Sequence, residues 1–116
     1  VAAVFDGHGH NGGEASHFVM DVVLKVLLCR ELGEDPGAVL RVAVLQAEEA
    51  LRKDSDIGAE RSGTTANVVL IHPRLGLLVG NVGDSRCVLA RRTGAINGAL
   101  TAVDLSEDHK PDLPEE

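Results

Sequence analysis

The spacing of apolar positions along this chain changes period twice. Val1-Ala2-Ala3-Val4-Phe5 is a short unbroken apolar run ended by Asp6-Gly7, and it predicts a buried strand. From Ala15 the spacing turns helical: Ala15, Phe18, Val19, Val22, Val23, Val26 and Leu27 share one face, with His17, Asp21 and Lys25 on the other. Asn11 and Glu14 stand at capping-box spacing ahead of that helix, Asn replacing the usual Ser or Thr, and Gly33 is its stop signal. A second helix starts at Asp35-Pro36, with Asp as cap and Pro in the first turn. Its apolar face is Val39, Val42, Ala43, Ala47, Ala50 and Leu51, and it fades near Lys53-Asp54.

Between the first strand and first helix, Asp6–Gly13 is dense in Gly, His and Asn and reads as a loop, as does Ser55–Ser62. Beyond Ser62 the chain becomes β-branched. Thr64–Ile71, Leu77–Val82, Arg86–Ala90 and Leu100–Leu105 predict four strands of a β-meander. His72-Pro73-Arg74, Gly83-Asp84-Ser85 and the longer Thr93–Gly98 turn separate them, and Ser106–Pro111 leaves the sheet. One strand, two helices, then several strands favours an α+β fold, a helix pair packed on an antiparallel sheet, over an alternating parallel architecture.

The chain has 116 residues, one domain at most. Apolar residues make up 44% and aromatics only 2%, so Val, Leu, Ile and Ala must build the core. A net charge of −7 excludes a general nucleic-acid binder and a polybasic membrane surface. No run reaches the roughly 18 apolar residues of a membrane span. Cys29 and Cys87 sit in apolar runs with no metal-ligand spacing, which predicts buried free thiols in a reducing compartment. The first residue is not Met, and the last run is polar and Pro-containing; the chain reads as cut from something larger.

Chemistry concentrates in two loops. In Asp6-Gly7-His8-Gly9-His10 a strand delivers a carboxylate and an imidazole into a glycine-rich segment. Glycines let backbone carbonyls approach an ion, and a carboxylate there suits a hard cation such as Mg²⁺ or Mn²⁺. An imidazole beside it can protonate a leaving group near neutral pH. The bland alternative is a Gly/His turn with a capping Asp. Gly83-Asp84-Ser85-Arg86 offers a second carboxylate, or a hairpin turn whose Asp caps a backbone N–H. Ser62-Gly63-Thr64-Thr65-Ala66 reads as small-residue support beneath a neighbouring loop, since Ser62 has no base nearby in sequence. Asp108-His109-Lys110-Pro111 reads as an exposed turn, and His17 and His72 as surface or structural residues.

Taken in order, Val4-Phe5-Asp6-Gly7-His8-Gly9, Ser62-Gly63-Thr64-Thr65-Ala66, Asn81-Val82-Gly83-Asp84-Ser85-Arg86 and Leu105-Ser106-Glu107-Asp108-His109-Lys110-Pro111 resemble the successive motifs of PP2C-like (PPM) protein phosphatases. The resemblance covers residues 1–116 as part of a domain about twice this length or more, with portions missing at both ends. It implies an antiparallel β-sandwich flanked by helices in four αββα layers, a monomer, and an intracellular protein of the cytoplasm or nucleus. It implies hydrolysis of phosphoserine and phosphothreonine in proteins, with a water bridging two Mg²⁺ or Mn²⁺ ions as nucleophile. By position, Asp6 resembles the carboxylate bridging both metals and Gly7 the residue that gives its carbonyl to one of them. His8 resembles the general acid, and Asp84 the ligand of a third, weaker metal. The resemblance also implies an upstream Arg and acidic pair and downstream aspartates, for which this chain has no matching positions.

Three other readings compete. One is a pseudophosphatase or regulatory module that binds phosphoproteins without turnover. Another is a zinc hydrolase using Asp6, His8 and His10. The last is a serine esterase built on Ser85.

Overall fold

The computed structural model describes residues 1–29, 35–94 and 98–110. The first apolar run gives β1 (Ala2–Val4), followed by β2 (Gly7–Gly9), α1 (Gly12–Cys29), α2 (Pro36–Lys53), β3 (Ser62–Thr64), β4 (Ala66–His72), β5 (Gly76–Val82), β6 (Val88–Arg92) and β7 (Leu100–Asp104). All strand pairs are antiparallel, in three sheets: β1-β4-β5, β2-β3 and β6-β7. The fold is α+β, as expected.

Both helices form where the spacing puts them. Ala15, Val19, Val23 and Leu27 of α1 are buried, while His17, Asp21 and Lys25 are exposed. At the start of α2 the Asp35 carboxylate accepts from the Ala38 N–H at 2.9 Å, and Pro36 occupies the first turn. The buried face of α2 is Leu40, Ala43, Ala47 and Leu51, so Leu40 joins the expected stripe and Val39 and Val42 lie at its margin. The Gly33 stop signal falls outside the described residues. Asn11 precedes α1, and its carbonyl accepts the Ala15 N–H, yet its side chain does not serve the helix. The amide donates instead to the carbonyls of Asp56 and Ile57, pinning the loop after α2 against the start of α1.

The two helices cover one face of the three-stranded sheet. Period-2 alternation along β4 sends Ala66, Val68 and Leu70 toward the helices, opposite Val82, Gly80 and Leu78 of β5. Gly80 is needed there because a Cβ would stand 2.8 Å from Leu40 Cδ2. The alternate face carries Val4, Ile71 and Leu77, all exposed.

Three strand expectations need correction. The first apolar run is a strand but not a buried one: Ala2, Ala3 and Val4 are all exposed, because β1 is an edge strand paired with β4. Gly7–Gly9 is not a free loop but a short strand paired with Ser62–Thr64. Its partner lies more than fifty residues away in sequence, beyond the reach of a local pattern. The meander also breaks after β5, where Gly83 takes φ 92° and turns the chain out of the sheet. β6 pairs with β7 alone, so the predicted Arg86–Ala90 strand begins later, at Val88. The molecule measures 54 × 36 × 25 Å along its principal axes, with a radius of gyration of 16.0 Å. A compact chain of this size would be nearer 13 Å, to order of magnitude (~13 Å). The Thr93–Gly98 turn lies partly outside the described residues. Both cysteines are free thiols, as expected, but not buried: Cys29 is exposed, because its position on α1 faces away from Val23 and Leu27, and Cys87 is half-buried.

Leu70 is 1% exposed between sheet and helices. Leu70→Ala is expected to lower stability by about 2–5 kcal/mol. Leu28→Ala, at a position 79% exposed, is expected to stay within about 0.5 kcal/mol. Urea denaturation midpoints of the two variants check this contrast.

Candidate functional site

The end of β1 is gripped by Thr65, which lies between β3 and β4. The Thr65 N–H donates to the Asp6 carbonyl at 2.9 Å, and the Asp6 N–H donates to Thr65 Oγ1 at 3.0 Å. A hydroxyl therefore takes the place of the Thr65 carbonyl in the ladder. That displaced carbonyl accepts from Thr64 Oγ1 at 2.9 Å, so the Thr-Thr pair is satisfied at the point where the strands pass from one sheet to the next. With Asp6 and Thr65 bonded across, the adjacent Gly7–Thr64 pair is a non-hydrogen-bonded one, and the Gly7 carbonyl points away from β3.

Close backbone packing explains two glycines of this loop. A Cβ on Gly7 would stand 1.9 Å from the Gly12 carbonyl oxygen. Gly9 takes φ 83°, and a Cβ there would lie 2.0 Å from the Arg61 carbonyl oxygen. Ser62 is buried, and its hydroxyl accepts the Asn11 N–H at 2.9 Å, tying β3 to the entry of α1. His8 sits at the middle of β2, directly opposite Gly63.

The second loop joins the first through side chains. Thr65 Oγ1 and Ser85 Oγ are 2.7 Å apart, so one hydroxyl links the backbone of Asp6 to the residue after Asp84. The Asn67 amide donates to Asn81 Oδ1 at 2.7 Å and, at 3.3 Å each, to the Ser85 carbonyl and Ser106 Oγ. Asn81 donates in turn to the carbonyls of Gly83 and Glu107. Ser106 Oγ also accepts the Cys87 N–H at 2.8 Å. His109 closes the loop from outside: its N–H donates to the Gly83 carbonyl and its Nδ1 accepts the Gly83 N–H. All four sequence motifs thus meet in one hydrogen-bonded web, and the small-residue reading of Ser62–Ala66 agrees with their place in it.

Asp108 is not in a bare exposed turn. Arg86 grips its carboxylate with two parallel bonds of 2.8 Å, with Lys110 3.4 Å away. Asp108 is only 12% exposed. The Arg86 hydrogen bond, assisted by Lys110 and opposed by partial burial, holds its carboxyl well below the ordinary 3.8, at about 2. Nothing local marks this pair, because its partners are 22 residues apart.

Asp6, His8 and Asp84 are exposed, on loops the web joins. Carboxylate and carbonyl oxygens at Asp6, Gly7 and Asp84 match the donor chemistry of a hard divalent cation. Among the described residues, however, no three His, Cys, Asp or Glu side chains group to hold a metal ion. The single-loop zinc site of Asp6, His8 and His10 is therefore not formed. Left-handed Gly9 turns the chain before His10, ending the alternation that would keep all three on one side. Ser85 is bonded to Thr65, and among the described residues no imidazole or carboxylate bonds its hydroxyl, which gives the esterase reading no base there. Among the described residues no helix is long and apolar enough to cross a membrane.

The family model for protein phosphatase 2C matches residues 1–116. The chain belongs to the protein phosphatase 2C family. It is 39% identical to probable protein phosphatase 2C 64 of Oryza sativa subsp. japonica, over all of this chain and 28% of that protein. It is 42% identical to probable protein phosphatase 2C 35 of Arabidopsis thaliana, over 93% of this chain and 30% of that protein. The chain therefore spans under a third of the length of these relatives. Among solved structures it is similar to the serine/threonine phosphatase PstP/Ppp of Mycobacterium tuberculosis, with a TM-score of 0.71 and 30% identity over 91% of this chain and 43% of that one. The PPM Ser-Thr phosphatase MsPP of Mycobacterium smegmatis, solved with cacodylate, gives 0.65 and 29% over 92% and 42%. The α+β elements described above are thus part of a protein phosphatase 2C fold.

A carboxyl with a depressed folded pKa adds stability above its unfolded value and loses it as pH falls through the folded value. For Asp108 that window runs from about pH 4 down to about pH 2. Denaturation midpoints stepped through this range should fall less steeply in Asp108→Asn, whose stability is already reduced at neutral pH.

Proposed function

We propose that the protein carrying this chain hydrolyses phosphoserine and phosphothreonine in proteins, with Mg²⁺ or Mn²⁺ as cofactor. The observation that carries this reading is the Asp6–Thr65–Ser85 linkage, which couples the Asp6-Gly7-His8 loop to the Asp84 loop. Family membership and the oxygen-only donor set support it. Asp6 and the outward Gly7 carbonyl would hold two ions, and Asp84 a third, weaker one. When bound, the ions supply an activated water and neutralise charge on the phosphoryl group. His8 donates its proton to the departing Ser or Thr oxygen, a step that matters most when the alkoxide is a poor leaving group. Because no three His, Cys, Asp or Glu side chains group to hold a metal ion among the described residues, this chain alone is inactive in this reading, and residues elsewhere in the protein complete the site.

The lack of a three-ligand group among the described residues also fits a second reading, a regulatory module that binds phosphoproteins without turnover. Phosphate release from a phosphothreonine peptide by the full-length protein, with and without Mn²⁺, separates the two. Metal-dependent release supports the enzyme, and its absence at saturating metal supports the binding module. Asp6→Ala should abolish metal-dependent release; wild-type rates in that variant would remove Asp6 from the site. His8→Ala should cost on the order of 10²–10⁴-fold on the peptide, and less on an activated aryl phosphate. Equal losses on both would remove His8 as the proton donor.

A further inference from the structure

Gly63 faces His8 across the β2–β3 pair. It is not one of the left-handed glycines, so its backbone does not require glycine. What requires it is the imidazole. A Cβ on Gly63 would meet His8 Nε2 at 2.8 Å and Cε1 at 3.0 Å, and its third nearest atom is Cδ2 of the same ring. The Nε2–Cε1 edge of the ring therefore occupies the space a Gly63 side chain would need, with its outer nitrogen closest.

The neighbouring glycines differ in kind. On Gly7 and Gly9 an added Cβ would strike backbone, at 1.9 and 2.0 Å, where nothing can yield without unpicking the loop. On Gly63 the obstacle is the far end of an exposed side chain with two free torsions. An alanine there displaces the ring and leaves β2 and β3 paired.

We propose that Gly63 is a positioning residue for His8: its missing side chain makes the seat that sets where Nε2 presents its proton. This rests on the proton-donor reading of His8 given above. The displacement a methyl group forces is of ångström size, and misplacement on that scale reduces rates by about 10- to 100-fold.

The test uses the full-length, metal-loaded protein as wild type, Gly63→Ala, His8→Ala and the double variant. Each is assayed on a phosphothreonine peptide and on 4-nitrophenyl phosphate, with its melting temperature recorded. Gly63→Ala is expected to lower kcat/KM on the peptide about 10- to 100-fold, to lower it less on the aryl phosphate, and to melt close to wild type. In the His8→Ala background it should change neither rate further. Wild-type peptide rates in Gly63→Ala, equal losses on both substrates, a full additional loss in the double variant, or a large drop in melting temperature would each overturn the proposal. If His8→Ala itself lowers both substrates equally, the proton-donor reading fails and the inference falls with it. If His8→Ala discriminates and Gly63→Ala does not, only the role of Gly63 is lost.

Discussion

Thr65 holds the end of β1 with both of its polar groups, and the arrangement of the candidate site follows from that grip. A ladder of backbone bonds alone would carry β1 straight along β4. By offering its hydroxyl to the Asp6 N–H, Thr65 lets the two strands bend together into the β2–β3 pair without orphaning a donor. The same oxygen reaches Ser85, so the bend and the joining of the two loops are one event. Thr64 completes it by satisfying the carbonyl that the bend displaces. A β-branched hydroxyl residue suits this place because its stiff side chain presents the oxygen in one direction.

The helices were legible because their signals are local. Asp35-Pro36 caps and opens α2 within three residues, and the α1 stripe repeats over four turns. The β4–β5 hairpin was legible for the same reason. What escaped local reading is contact across long separations. β2 exists only because Ser62–Thr64 arrives beside it. Asn11 serves the loop at residues 56–57 rather than its own helix, and Arg86 finds Asp108 across the open end of the β6–β7 hairpin. At the candidate site, motif order singled out the segments that hold Thr65, Asn81, Ser85 and Ser106, but not Asn67 and not which group bonds which. The pairing of these side chains across 14 to 39 residues is not written in any local spacing.

Small residues set the distances between layers. Gly80 admits Leu40 of α2 to the sheet, and Gly7 and Gly12 let the loop and the start of α1 touch backbone to backbone. The apolar helix–sheet core thus begins immediately behind the polar loops, with no intervening layer of side chains.

The web joining the loops has a further property. Between Asp6 and Glu107 its side chains are hydroxyls and amides: Thr65, Ser85, Asn67, Asn81 and Ser106. None of these gains or loses a proton in the physiological range, and none relies on Coulomb attraction that salt would screen. The direct link from Asp6 through Thr65 to Ser85 is consequently indifferent to ionic strength and acidity, whereas the outer closure of the Asp84 loop, by His109 and the Arg86–Asp108 pair, is not. Highly charged species arriving at that link would meet a mount whose own bonds do not compete for them.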